Sequence, residues 1–470
     1  MLANIKLPFM TLPHPVVSGE GALDPLGLAS AGDALADWLV PGLRARMSRP
    51  RFLTAMAVSA AVCDGLENRI AKDEVTPAYQ VFEWLLVEGF ARVPAPARDD
   101  ILRTPGIEKA RIALDHQISM SATSYLKTPS VFGFHGVYRP LAEATDLVDE
   151  EVGLGENGAK LLKAWERDQG LNGFAEGKTS DGLRGVLRSA VEEGLANGYV
   201  RKRPAWQGWK FFAEHMTPAK IGRSEAKILR TLMVDARGET RGELFDLLGK
   251  HHAAKGAKNT DEATVAHALI SAATPQLKVR LKAIFAFERF AVALETAFDL
   301  IRHLSSRNPT KALSARAYVS NRDVTTISTL LPDLLEKSSR AVEVALSKVT
   351  QELGVLEQAF QSVKTADDLY KAVLKRHKKV TQECGVLEQA FQSVKTADDL
   401  YEAVLERHKQ VQKNKPPEGK REWFEHAADG GVMVRTPFRL SDRPVRHVGW
   451  NRPYRLHALQ SFCSDLGIRR

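Results

Sequence analysis

Cysteine is scarce in this chain. Cys63, Cys384 and Cys463 are its three thiols in 470 residues, far apart and with no C-x-x-C pair. That spacing excludes a disulfide framework and a thiolate zinc site. Long apolar runs are missing too. The longest, Phe52 to Cys63, falls well short of the roughly twenty residues a membrane helix needs and reads as a buried core helix. The N-terminal stretch carries one lysine and is broken by Pro8, Pro13 and Pro15, so no signal-peptide core is expected. A cytoplasmic protein without a membrane partner is the expectation.

Catalytic punctuation is equally thin. Gly242 to Lys250 (GELFDLLGK) places six residues between its glycines and is followed by His251. A phosphate-binding P-loop has four, then a Ser or Thr for magnesium. No dinucleotide-binding loop is expected, and neither H-E-x-x-H nor a G-x-S-x-G elbow occurs. His251 and His252 are adjacent and point to different helical faces, while His377 and His408 sit among Lys and Arg and read as surface residues. The acids of Asp367-Asp368 are explained as first-turn helix residues. No catalytic residue, metal site or cofactor is expected, and the chain reads as a non-enzyme.

What is present is helical periodicity. Segments with a 3.6-residue repeat lie near 33–40, 51–69, 77–91, 107–120, 181–197, 224–234, 242–252, 262–272 and 277–304. The last carries Leu281, Ile284, Phe285, Phe287, Phe290, Leu294 and Ala297 on one stripe, the pattern of a core helix. With 44% hydrophobic and 26% charged residues, the chain reads as a folded, mainly α, multi-unit protein of roughly three packed units.

One segment departs from this pattern. After Val131, a helix starting at Pro140, a short β-hairpin over 147–154 and a helix from Gly155 to Trp165 trace the outline of a winged helix. Gly198 to Arg203 offers a second wing. A generic α/β insert explains the same residues, and Asp149, Glu150 and Glu151 would repel phosphate at the first wing.

A tandem repeat follows. Residues 350–380 recur at 381–411 with four of thirty-one positions changed: Leu353/Cys384, Lys371/Glu402, Lys375/Glu406 and Lys379/Gln410. Each copy holds a Thr-Ala-Asp-Asp helix start, so each is expected to form a helical hairpin. The last three differences are spaced i, i+4, i+8 on one helical face. That face is either a solvated stripe free to drift or a pairing surface between stacked hairpins. The expected organisation is a helical domain over 1–130, a winged-helix-like segment over 131–215 and a second helical domain over 216–349. The repeat occupies 350–411, and a basic, aromatic C-terminal segment occupies 412–470.

The formal net charge is +9. Residues 412–470 hold twelve Lys+Arg and six Asp+Glu, so six of those nine charges sit there. A modest surplus of this kind leans toward a polyanionic partner. Three basic clusters are candidate nucleic-acid contacts. The first is Arg44, Arg46, Arg49 and Arg51. The second is Arg201, Lys202, Arg203, Trp206 and Lys210, with Trp209 and Phe211 beside them. The third is Arg439, Arg443, Arg446 and Arg452 in the tail, with Arg435 and Arg455 and with Phe438, Trp450 and Tyr454 interleaved. Cations neutralise phosphates and aromatic rings stack on bases; the same residues also cap helices, pair with acids and build cores.

Around the first cluster, Leu26-Gly27-Leu28, Asp33-Ala34-Leu35-Ala36-Asp37, Pro41-Gly42 and Arg49-Pro50-Arg51-Phe52 occur in order. This stretch resembles the N-terminal signature of uncharacterised bacterial proteins encoded in anti-phage defence islands. The resemblance implies a non-catalytic accessory subunit beside a partner helicase or nuclease, binding DNA through basic surfaces. The sequence also accommodates a protein–protein scaffold without nucleic acid, and a nuclease with scattered carboxylates.

Overall fold

The computed structural model describes residues 24–94, 101, 103–177, 182–234, 240–255, 261–360, 364–415, 419–444 and 450–467, with backbone alone at 252–255, 348–360 and 364–373. The chain is mainly α, as its periodicity predicts. In order come α1 (Leu28–Leu39), α2 (Arg51–Val62), α3 (Ala78–Ala91), α4 (Ile107–Asp115), α5 (Pro129–Phe132) and α6 (Phe134–Ala144). Then follow α7 (Glu156–Gln169), α8 (Gly182–Asn197), α9 (Gln207–His215), α10 (Arg223–Val234), α11 (Thr240–Lys255) and α12 (Glu262–Leu269). The long helices are α13 (Pro275–Arg307), α15 (Arg322–Phe360) and α16 (Lys364–Phe391), with α14 (Ala315–Val319), α17 (Ala397–Lys413) and α18 (Leu456–Asp465) completing the set. Two short strands, β1 (Phe424–His426) and β2 (Val432–Val434), pair antiparallel with Phe424 opposite Val434.

Contacts gather the chain into two compact units, neither of them a continuous stretch. The larger holds 33–285, 341–380 and 449–470; the smaller holds 1–32, 286–340 and 381–448. The repeat and the tail are each divided between them, at 380/381 and 448/449.

In the larger unit every residue of α2 is buried, and so is every residue of α3 except the half-buried Tyr79 and Gln80. An all-round buried helix needs no amphipathic stripe, which is why the apolar run 52–63 forms a core helix. Helix α3 packs on α4, α8 and α9, and α7 packs on α10. The end of the chain returns here as α18, which lies on α11. The Glu262 carboxylate holds its entry by accepting the backbone N–H of Tyr454 at 2.5 Å and of His457 at 3.0 Å.

In the smaller unit Phe298 is the hub of an aromatic cluster, with His408, Trp423 and Phe424 all within 5.5 Å of it, ring centre to ring centre. Leu313 pairs with Val432 through two backbone hydrogen bonds of 2.8 and 3.0 Å, adding one bridge along the free edge of β2. The start of α17 is the capping box its sequence announces. Thr396 Oγ1 accepts the Asp399 N–H at 3.1 Å, and the Asp399 carboxylate accepts the Thr396 N–H at 2.9 Å. The equivalent side chains of the first copy, at Thr365 and Asp368, lie outside the described residues.

The repeat copies are not separate hairpins. Copy one ends, and copy two begins, inside α16, so one continuous helix serves both. The winged-helix outline is also revised. Helix α6 begins at Phe134 and carries Pro140 inside it, so Pro140 does not start a helix. Over 147–154 there is a single bridge, Val148 to Leu154, closed by a turn in which Asp149 Oδ1 accepts the N–H groups of Glu151 and Gly153. The second expected wing contributes one bridge, between Tyr199 and the distant Ser121. A short apolar-acidic-apolar run cannot distinguish a ladder from a tight turn; the competing Asp149 side chain selects the turn.

Candidate nucleic-acid interface

The first basic cluster runs along an irregular segment between α1 and α2, with Arg51 opening α2. Leu43, Met47 and Pro50 are buried while Arg44 and Arg46 are exposed, so anchoring residues alternate with outward cations. The Tyr138 hydroxyl holds the segment by accepting the N–H groups of Ser48 and Arg49, at 2.9 and 3.0 Å. Arg46 lies over the Phe132 ring at 4.1 Å, a geometry that leaves its guanidinium edge available.

These arginines border a cleft of about 410 Å³ whose polar lining is Arg44, Arg46, Lys379, Arg455, Asp33 and Asp37. Lys379 comes from the first repeat copy and Arg455 from the tail, so three stretches distant in sequence meet at one place. Asp37 sits between two guanidinium groups, 2.8 Å from Arg455 and 3.3 Å from Arg376. Burial works to raise its pKa, but Arg455 and Arg376 outweigh burial and hold the carboxyl below its usual range. It therefore stays ionised and fixes both arginines. Among the described residues Arg44, Arg46 and Lys379 form no ion pair, so three cations remain against the single exposed carboxylate of Asp33. Such a cleft is suited to an anion.

The other two arginines of this cluster do different work. Arg49 pairs with Asp465 at 2.8 Å and is half-buried. Arg51, expected among the nucleic-acid contacts, is 1% exposed. It pairs with Glu225 at 3.2 Å and donates to the carbonyls of Thr217 and His215, both at 2.9 Å, and of Lys220. Burial, the Glu225 ion pair and three backbone carbonyls hold it away from any surface, and it is corrected to a core residue.

The second cluster is spent largely on itself. Glu193 pairs with both Arg201 and Arg203. Arg203 covers the Trp206 ring at 5.1 Å, and Trp209 meets that ring edge-on at 4.8 Å. A Cβ on Gly208 would fall 2.3–2.5 Å from the Trp206 indole, so the indole lies directly on the α9 backbone. Trp206 is half-buried, packed on α9 under Arg203 and bordering a groove beside the cluster. Trp209 and Phe211 are buried. Lys210 is exposed and 3.8 Å from Glu214; Lys202 is exposed. The groove beside this cluster, about 590 Å³, is bordered by Arg203, Trp206 and Glu193 together with the Gly/Ala/Ser face of α8.

The tail is not one surface. Residues up to 448 belong to the smaller unit and those from 449 to the larger. Arg439 is exposed, and Arg443 is exposed but paired with Asp323. Arg452 is half-buried and already engaged, and Arg446 lies outside the described residues. The aromatics pack internally: Phe438 stacks on Trp423 at 4.5 Å, and Trp450 lies 4.9 Å from Phe285 and 4.7 Å from Tyr454. The stretch supplies the cleft with one residue, Arg455.

Three features run against or beyond the expectations drawn from the sequence. Ser59 Oγ lies 3.1 Å from His135 Nε2, and His135 Nδ1 lies 2.9 Å from Glu83 Oε2, the order of a hydrolase relay. Glu83 also accepts the Tyr125 hydroxyl at 2.7 Å and the N–H groups of Phe134 and His135 at 3.1 and 3.2 Å. All three relay residues are at most 2% exposed, and neither cleft reaches Ser59. The relay is a satisfied core network. No local motif marks it, because its members come from three helices.

The second is a glycine spacing that runs against the expected lack of a dinucleotide loop. Gly153-Leu-Gly-Glu-Asn-Gly158 has the G-x-G-x-x-G pattern and opens α7. Here the chain itself occupies the place of a ligand. The Asp146 carbonyl accepts the N–H groups of Asn157 at 3.0 Å and Gly158 at 3.3 Å. A Cβ at Gly155 or Gly158 would strike the Asp146 or Leu147 carbonyl at 2.3 and 2.1 Å. The glycines admit a turn and leave no room for a pyrophosphate.

The third is the burial of His377 and His408, at 6% and 0% exposure; their expected surface position is corrected. The exposed Lys378 and Lys409 beside them mark the solvent side of each helix, and the ring points the other way. Among the described residues no group of His, Cys, Asp and Glu could hold a metal ion, and no helix is long and apolar enough to cross a membrane. No family model matches this sequence, and no curated protein or solved structure is similar to it.

Proposed function

We propose that this chain is a non-catalytic, DNA-binding accessory subunit of a bacterial anti-phage defence system, acting beside a partner helicase or nuclease. The observation that carries the DNA-binding part is the cleft in which Arg44, Arg46 and Lys379 converge outside any ion pair, three cations to the one carboxylate of Asp33, while Asp37 is committed to Arg376 and Arg455. Cations left unneutralised at one concave place favour phosphate, because each contact releases condensed counterions from the nucleic acid. The defence setting and the partner enzyme rest on the N-terminal resemblance between Leu26 and Phe52. A scaffold without nucleic acid is the second reading, favoured by how many arginines are committed to internal pairs: Arg49, Arg51, Arg203 and Arg443.

The test is the salt dependence of binding to a labelled DNA duplex. The logarithm of the affinity should fall linearly with the logarithm of salt, with a slope of about 0.9 per phosphate contact. Arg44→Ala/Arg46→Ala should lower that slope by about 1.8. An unchanged slope removes the cleft from the interface, and no binding at low salt leaves the scaffold reading in its place.

A further inference from the structure

The two repeat copies agree where they anchor the fold and differ where they meet solvent. Arg376 and Arg407 hold the same repeat position; the first pairs with Asp37 at 3.3 Å, and the second donates from Nε to the Leu26 carbonyl at 2.9 Å. His377 and His408, next in the chain, are both buried. The same residues thus seat each copy in a different unit. At two of the differing positions copy one presents exposed Lys375 and Lys379, where copy two presents exposed Glu406 and Gln410. A third, Lys371 against Glu402, continues the same face by spacing. All three differences run one way, three positive charges against two negative. A solvated stripe with nothing to bind exchanges charge in both directions. A one-way exchange on one face is what a charge requirement there would leave, and Lys379 on that face lines the cleft beside Arg44 and Arg46.

We infer that the duplication has divided its labour. The first copy is the nucleic-acid-facing one: Lys375 and Lys379 extend the phosphate-contacting surface out of the cleft along α16. The second copy keeps only the anchoring role, and its acidic face repels the backbone. This rests on the cleft being a phosphate site.

The experiment converts the first copy to the second at these positions, Lys375→Glu/Lys379→Gln, and measures binding of the labelled duplex across salt concentrations, with melting temperature as a folding control. Loss of two contacts should lower the salt slope by about 1.8 and weaken binding at physiological salt, with an unchanged melting temperature. A charge-balanced variant that also carries Glu406→Lys/Gln410→Lys has the wild-type net charge and should remain as weak. Recovery of the wild-type slope in that variant overturns the inference, because total charge and not position would then govern binding. An unchanged slope in Lys375→Glu/Lys379→Gln, with a lowered slope in Arg44→Ala/Arg46→Ala, also overturns it while leaving the cleft in place. Unchanged slopes in both remove the cleft reading and this inference together.

Discussion

Trp423 donates its backbone N–H to Nε2 of His408 at 3.0 Å, and the opposite ring nitrogen, Nδ1, lies 3.0 Å from the Pro25 carbonyl. A carbonyl only accepts, so Nδ1 carries the proton and Nε2 keeps its lone pair. The ring is neutral because both of its neighbours require it.

Acid should therefore loosen the smaller unit. Burial pushes the His408 pKa down to about 4 from an ordinary 6.5. Above pH 6.5 the ring is neutral folded and unfolded, and contributes no pH dependence. Between 6.5 and 4 the unfolded chain takes up a proton that the folded one refuses, so stability falls as pH falls, by roughly 3 kcal/mol at the low end. His377, pushed down by burial and then by Arg280, acts in the same direction in the larger unit. Urea midpoints measured from pH 7 to 4 should drop, and His408→Gln should be less stable at pH 7 with a flatter profile. Parallel profiles for the variant and wild type would show that the ring is not held neutral.

Arg51→Ala should unfold rather than unbind. Removing the guanidinium leaves the Glu225 carboxyl, whose pKa burial raises despite Arg51, without its ionic partner. A broken buried pair costs about 3–5 kcal/mol, whereas Arg44→Ala at the surface should fall within about 0.5 kcal/mol of wild type. Thermal denaturation of the two variants side by side checks this. A stable Arg51→Ala protein with weakened DNA binding would return Arg51 to the interface.

Ser59 should be chemically silent despite its relay geometry. A fluorophosphonate probe needs an accessible hydroxyl, and Ser59 is fully buried in the middle of α2. Labelling of the folded protein is expected to be undetectable, and Ser59→Ala should cost about 1–3 kcal/mol by leaving His135 Nε2 without its partner. Labelling that disappears in Ser59→Ala would reveal an opening to the relay.

Gly208→Ala should displace Trp206. The added methyl would lie 2.3–2.5 Å from three indole carbons, too close for any adjustment within the same rotamer, at a cost of about 1–3 kcal/mol. The near-ultraviolet circular dichroism of the Trp206–Trp209 pair should change in step with the melting temperature. An unaltered spectrum would mean that the indole does not rest on α9.

Periodicity was sufficient for most helices. The segments read at 77–91, 181–197 and 224–234 are helices within a residue or two of those limits, because an apolar stripe every 3.6 residues can be buried in one way only. Helix α9 escaped, since its Trp209, Phe211 and Phe212 beside Arg203 resemble a binding cluster as much as a core face. The basic residues could not be sorted from sequence at all. Arg44 and Arg51 lie seven positions apart in one arginine-rich run, yet the first is exposed and the second completely buried. What separates them is Glu225, which meets Arg51 across 174 positions of chain. The sequence by itself determined an α-helical chain, an exchange of lysine for acid on one face of a repeat, and a basic surplus. Only the tertiary structure decided which cations are neutralised and which converge, because that depends on carboxylates and carbonyls brought from far along the chain.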